Sequence, residues 1–266
     1  MRFAGLPCAL AMCVALIIGH SATANPTDHP KVVIIIDDLG YKPALDRRVL
    51  ELPREIAIAV LPGAPNATAI ARSAHAQQRQ ILVHLPMQSL NETSNATLLD
   101  SAALTDQTTR DELRQIVAGA FAAVPHASGL NNHMGSLMTQ RTEPMRWLME
   151  SLACRRDAYF IDSFTTADSV ALSTAQLMHI PAMRRHVFLD DDPDYDAVVA
   201  ELERLVIRAR KDGQAVAIGH PLPETLQALV HVLPTLESQG VQLVSLEDVV
   251  HRPEREADPE LAMTAW

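Results

Sequence analysis

Val32–Gly40 reads VVIIIDDLG. Five β-branched apolar residues run without a break, two carboxylates follow, and Leu39-Gly40 turns the chain. β-Branched residues suit a pleated backbone. An apolar run without alternation fits a strand buried on both faces, as in a parallel sheet. In parallel α/β folds the ligand sits beyond the carboxyl ends of the strands. Asp37 and Asp38 therefore stand where such a fold does its chemistry. A carboxylate pair there can divide the work, one holding a metal and the other moving a proton. The alternative is that one aspartate caps the next helix and the other is solvated.

Outward from this strand the same alternation repeats. Further strands are predicted at Glu55–Leu61, Gln80–Leu85, Ser128–Leu130, Tyr159–Ile161, His186–Leu189, Ala215–Ile218 and Val241–Leu246. Between them the pattern predicts helices at Pro43–Leu50, Asn66–Gln78, from Arg110, from Pro144, at Tyr195–Lys211 and at Glu224–Ser238. Thr109-Arg110-Asp111-Glu112 has the form of a capping box. Leu113, Ile116, Val117, Ala120, Phe121 and Val124 then recur at helical spacing. Gly213 stops the long helix, and Pro234 kinks the last one. Repeated β-α units without a composition break give one α/β domain, a parallel barrel, incomplete in places, rather than an open sheet. No glycine-rich phosphate loop follows the first strand, which argues against a nucleotide enzyme.

The chain has 266 residues, 48% of them hydrophobic, and a formal net charge of −10. That length suits one large domain. An acidic chain without basic runs is a poor nucleic-acid ligand. Residues 1–24 read as an export signal: Arg2, an apolar stretch from Ala4 to Ile18, and Ser21-Ala22-Thr23-Ala24 with cleavage expected after Ala24. Such a chain keeps no stable membrane anchor once cleaved, and it works in the periplasm. The domain then covers residues 25–250, and residues 251–266 form a polar tail expected to be disordered. Cys8 and Cys13 leave with the signal, so Cys154 has no intramolecular partner and is read as buried.

Polar residues recur at the predicted strand ends: Asp37 and Asp38, His84, Asn132 and His133, Asp162, Asp190, and His220. In a barrel these positions converge on one mouth. Two neutral imidazoles and a carboxylate make a three-ligand set for a divalent ion, most plausibly Zn²⁺, with positions left open. Asp38, His84 and His133 are the expected ligands. Asp37 is then the general base toward a water that the metal acidifies, and His220 the acid toward the leaving group. Asn132 or Ser136 would orient substrate. Asp162 would fix a histidine tautomer or cap a turn, and Asp190 would either support the site or open a solvated helix entry. His84 as a core histidine and His220 as a turn residue remain alternatives. His75, His126, His179, His186 and His231 have no matching placement.

The segments IIIDDLG, HLPM, GLNNHMGS, FIDS, VFLD and IGHP occur in this order. Together they resemble the divergent polysaccharide deacetylase family, a distant branch of the NodB-like deacetylases of carbohydrate esterase family four. The resemblance spans about Lys31 to Val250. It implies an irregular seven-stranded (β/α) barrel, export, and hydrolysis of an N- or O-acetyl group on a polysaccharide, peptidoglycan or another envelope glycan. It also gives Asp37 the role of base, Asp38 that of metal ligand and His220 that of acid. The wider group draws both histidines from one H-x-x-x-H segment. Here Gln88 stands four residues after His84, and Asn131–Ser136 occupies the place of an expected arginine-proline motif. His133 would supply the second imidazole from a neighbouring strand. Two functions follow: a metal-dependent deacetylase, or a non-catalytic periplasmic barrel that keeps the metal and binds a glycan or protein.

Overall fold

The structure is a computed structural model that describes residues 29–91 and 103–250. The expected signal at 1–24, with Cys8 and Cys13, and the tail at 251–266 lie outside the described residues.

The first strand, β1 (Lys31–Leu39), is followed by α1 (Pro43–Leu50), β2 (Ala57–Val60), α2 (Ala67–Ala76) and β3 (Ile81–Met87). Then come α3 (Arg110–Ala123), β4 (Gly129–Met134), α4 (Thr142–Ala153), β5 (Tyr159–Asp162), α5 (Ala171–Leu177) and β6 (Ala182–Arg184). The chain ends with β7 (Val187–Phe188), α6 (Tyr195–Asp212), β8 (Gln214–Gly219), α7 (Pro223–Val232) and β9 (Gln242–Leu243). Spatial order is β6-β5-β4-β3-β2-β1-β8-β7, and β9 pairs the start of β1. Every pairing is parallel.

β6 and β7 stand at the two ends of this order, yet only Arg185 and His186 separate them in sequence. Arg185 N–H donates to Asp162 O at 2.9 Å, and His186 N–H donates to Val216 O at 2.8 Å. Ala182–Phe188 is thus one stave that leaves β5 and takes up β8. The expected irregular seven-stranded (β/α) barrel is what results, with a seam where this stave changes partner.

The two faces of β1 explain its unbroken apolar run. Val33 and Ile35 point into the barrel, beside Ala57, Ala59, Leu82, Ile161, Val216 and Ile218. Val32, Ile34 and Ile36 point outward, into the layer under the helices. The N-terminal end of the barrel is plugged. Tyr159 fills it and donates to Gln80 Oε1 at 3.2 Å. Val244, Leu246 and Val249 of the C-terminal segment pack in the same cluster. Gly129 is required there, because a Cβ at that position would sit 2.2 Å from the Tyr159 ring. The open end is therefore the opposite one, where the strands finish.

Helix boundaries follow local chemistry. The Thr109–Glu112 capping box forms, with both reciprocal bonds present. Gly213 ends α6 at φ 82°, the left-handed conformation that glycine tolerates. α7 is shorter than predicted. Pro234 cannot continue the helical ladder, so α7 stops at Val232 and short 3₁₀ turns carry the chain to Gly240. The last strand contracts to Gln242–Leu243. Cys154, predicted buried, is exposed, since it caps α4 just past the helix's inward stripe of Met145, Leu148, Met149 and Leu152. Among the described residues no helix is long and apolar enough to cross a membrane.

Candidate metal centre

The two adjacent aspartates would face opposite sides of a regular strand. A bulge prevents this. Ile36 pairs with Ile58 and Leu39 with Val60, so β1 spends one residue more than β2 over the same stretch. The extra residue lies at Asp38, which adopts φ 61°. Aspartate is among the few residues that visit this region readily. Asp37 keeps the inward orientation of Val33 and Ile35, Leu39 returns to the helix side, and Asp38 is turned toward the mouth.

On β3, Ile81, Val83, Leu85 and Met87 pack outward, which leaves His84 facing in, 2% exposed. β4 extends through Met134, four residues beyond its predicted end, because its polar residues face the mouth while their backbone pairs with His84–Met87. Asn131 lies opposite His84 in register, and His133, two residues on, projects from the same face nearer the mouth.

The result is a tight cluster. His84 Nε2 lies 3.2 Å from Asp38 Oδ1, and His133 Nδ1 lies 3.0 Å from the same oxygen. The two ring nitrogens are 3.0 Å apart. Donors bound to one zinc ion at about 2.0–2.2 Å stand at about this mutual separation. Asp38 Oδ1 is buried, and among the described residues no donor meets it in well-aligned hydrogen-bond geometry, although two imidazole nitrogens lie this close. Burial would raise the Asp38 carboxyl, but His133 and His84 hold it well below the ordinary carboxylate range. Burial also disfavours the charged form of His84, while Asp37 and Asp38 overcome it and raise that pKa. The carboxylates that favour a proton here would equally favour a cation. The residues present thus fit a divalent ion.

Asn131, which the sequence reading passed over, organises both halves of the site. It is fully buried. Its Nδ2 donates to Asp37 Oδ1 at 2.8 Å and Oδ2 at 3.0 Å. Its amide oxygen therefore faces His84 Nδ1, at 2.8 Å. Neutral His84 then carries its proton on Nδ1 and turns the Nε2 lone pair toward Asp38 and His133. The signal was its spacing: Asn131 and His133 are two apart, hence on one face of a strand.

Asp37 is 2% exposed, and burial raises its pKa against the lowering effect of His84, His220 and Asn131. A carboxylate so placed is a better proton acceptor than a solvated one. Across the mouth, His220 Nε2 lies 3.9 Å from Asp38 Oδ2. Its Nδ1 is 2.9 Å from Asp190 Oδ1, while Asp190 Oδ2 accepts from His220 N–H at 2.6 Å and Thr225 Oγ1 at 2.8 Å. Burial lowers the His220 pKa, but the Asp190 hydrogen bond and the charges of Asp37, Asp190 and Asp38 raise it to about 9. Asp190 is thus buried support for His220 and not a solvated helix entry.

Other expected positions hold the scaffold. The Asn132 amide donates to Met134 O at 2.7 Å and accepts from Ser163 N–H at 2.9 Å, tying β4 to β5. Ser136 Oγ accepts from Leu90 N–H at 3.0 Å and fastens the segment after β3. Asp162 accepts from Phe164 N–H at 2.8 Å and Ser169 Oγ at 2.7 Å. It therefore caps a turn and, among the described residues, bonds to no histidine ring. A cavity of about 340 Å³ opens onto the site, lined among others by Asp37, His84, His133, Ser163, Arg185 and His220.

Comparison with known proteins gives the family and the fold. The chain is 36% identical over 236 residues to the uncharacterized protein YibQ of Escherichia coli K12, across 88% of this chain and 71% of that one. A crystal structure of the uncharacterized protein ATU2773 from Agrobacterium tumefaciens C58 superposes with a TM-score of 0.80 at 17% identity, covering 86% of this chain and 92% of that one. A mutant of BA3943, described as a CE4 family pseudoenzyme with restored enzymatic activity, shares the fold at a TM-score of 0.53 and 14% identity, over 85% of this chain and 69% of that one. The family model described as divergent polysaccharide deacetylase matches residues 34–250. The chain belongs to the divergent polysaccharide deacetylase family.

Proposed function

We propose that this protein is an exported, zinc-dependent hydrolase that removes acetyl groups from an envelope polysaccharide. The observation that carries the reading is the convergence of three ligand atoms, from Asp38, His84 and His133, between a buried carboxylate and a carboxylate-backed imidazole. The sequence of residues 1–24 supports export to the periplasm.

Asp38 Oδ1, His84 Nε2 and His133 Nδ1 would hold the ion, whose chemistry is to polarise an acyl carbonyl and acidify a water. Asp37 takes the proton of the attacking water, with Asn131 Nδ2 fixing the carboxylate for that transfer. Asn131 at the same time keeps the His84 ring in its ligating orientation. His220 enters protonated and gives its Nε2 proton to the departing amine or alkoxide, and Asp190 stabilises the charged ring until then. The sugar bearing the acetyl group occupies the cavity between Phe188 and Met134.

The test is acetate release from acetylated glycans by the zinc-loaded protein. Asp37→Asn and His133→Ala should each abolish release. Zinc content should fall only in His133→Ala. A second reading, a barrel that keeps the metal and binds without turnover, is favoured by the absent H-x-x-x-H pair. It is also favoured by the fold's occurrence in a CE4 family pseudoenzyme. That reading predicts no acetate release from any glycan and undiminished glycan affinity in Asp37→Asn.

A further inference from the structure

The cavity holds two polar groups that neither the metal cluster nor the proton-transfer residues use. Ser163, just past the end of β5, is 5% exposed, and among the described residues its hydroxyl has no hydrogen-bond partner. A buried hydroxyl left unpaired is costly and uncommon in a folded interior. Arg185, at the seam in the stave, sits beside it. Its Nε donates to Ser163 O at 2.6 Å and its Nη2 to Phe164 O at 2.9 Å. Both acceptors are neutral carbonyls, and among the described residues no carboxylate pairs with this guanidinium. Asp37, Asp162 and Asp191 are close enough to stabilise its charge without contacting it. A half-buried cation and an orphaned hydroxyl therefore line one wall of the cavity.

A neutral acetylated sugar would satisfy the hydroxyl and leave the guanidinium without a directly contacting carboxylate. A carboxylate would satisfy both, since its two oxygens accept from an arginine and a hydroxyl at once. The wall continues past Phe188 and Asp191 into a depression of about 510 Å³ on the barrel's flank, where Arg204 and Arg208 stand along α6. Those two are exposed and, among the described residues, paired only with acids of their own helix, Glu201 and Asp212. Such surface pairs are weak and exchange readily for another anion. Asp191, Glu201 and Asp212 are the opposing charges on this path. On a chain of net charge −10, a path where three arginines meet three acids is close to charge-balanced and repels an anion less than the rest of the surface.

We propose that Ser163 Oγ and the Arg185 guanidinium form a carboxylate-binding subsite beside the metal centre. The substrate is then an acidic glycan whose carboxylate lies close to the acetyl group. This rests on the deacetylase reading for its location, but its test is independent of turnover.

Isothermal titration of the purified protein with two matched N-acetylated oligosaccharides, one bearing a free carboxylate and one its methyl ester, measures the preference directly. The acid should bind about 10- to 100-fold more tightly than the ester, the range for a buried hydrogen-bonded charge. Arg185→Met should bring the acid down toward the ester without changing ester affinity, Ser163→Ala should weaken both ligands but the acid more, and Arg185→Lys should keep part of the preference. Thermal unfolding of each variant checks that it folds. Equal affinity for acid and ester, or a preference for the ester, overturns the subsite. So does failure of both to bind. A preference for the acid in a protein that releases no acetate leaves the subsite standing and removes the deacetylase reading alone.

Discussion

Replacing Asn131 by leucine isolates the residue that ties the two halves of the site together. The two side chains share the same branched four-atom skeleton, so the shape is roughly kept, with leucine the bulkier, while three polar contacts disappear. The Asp37 carboxylate loses both amide contacts, and His84 Nδ1–H loses its acceptor, in a region with almost no solvent access. Each buried group left unpaired costs about 1–3 kcal/mol, so the variant should be less stable by roughly 2–6 kcal/mol. For a domain of this size that is a fall in Tm of roughly 5–20 °C. With its tautomer no longer fixed, His84 should also ligate less well. Loss of such an orienting partner typically weakens metal binding about 10- to 100-fold. Calorimetry of the zinc-free protein measures the first effect, and zinc competition against a chromophoric chelator measures the second. Wild-type Tm together with wild-type zinc affinity in Asn131→Leu would refute the claim that this amide organises the centre.

Two further outcomes follow from the same geometry. His220 has a folded pKa of about 9, raised above the ordinary histidine value, so its interaction with Asp190 is fully present below about pH 6.5 and is lost as pH rises through 9. That linkage is worth roughly 3 kcal/mol, and zinc-free wild-type protein should lose stability between pH 6.5 and 9 in urea titrations, while His220→Asn should keep only the part of that loss that comes from His84, whose pKa is also raised. Gly129→Ala forces a methyl group against the buried Tyr159 ring. It should cost about 1–3 kcal/mol by overpacking, with Gly129→Ala/Tyr159→Leu recovering part of that loss in thermal unfolding. An unchanged Tm in Gly129→Ala would show that the plug yields.

The barrel was legible because its strands carry apolar residues on both faces, as Val32–Ile36 does, and its helices carry stripes and caps, as Thr109–Glu112 does. Legibility failed where residues face the mouth. Asn131–His133 broke the apolar run, so β4 read as ending at Leu130, although its backbone pairs as far as Met134. The half-stave β6 carries partly exposed Ala182 and Met183 and an exposed Arg184, and α5 is a single short helix. Neither offers a period to detect. Asp38, His84 and His133, which the fold brings together, stood out because acids and histidines recur at the predicted strand ends, directly after apolar runs. Asn131 and Arg185 were missed because an asparagine or arginine acquires its role from partners distant in sequence, Asp37 in one case and Ser163 in the other. The bulge at Asp38 leaves no mark in the text beyond the residue's own tolerance of positive φ.

The most direct measurement is anomalous diffraction at the zinc edge from crystals grown with the metal. One peak should lie about 2.0–2.2 Å from His84 Nε2, His133 Nδ1 and an Asp38 carboxylate oxygen, with the cavity side left for solvent. A peak elsewhere, or none at full zinc concentration with Asp38, His84 and His133 still in contact, would contradict the claim that these three side chains hold one ion.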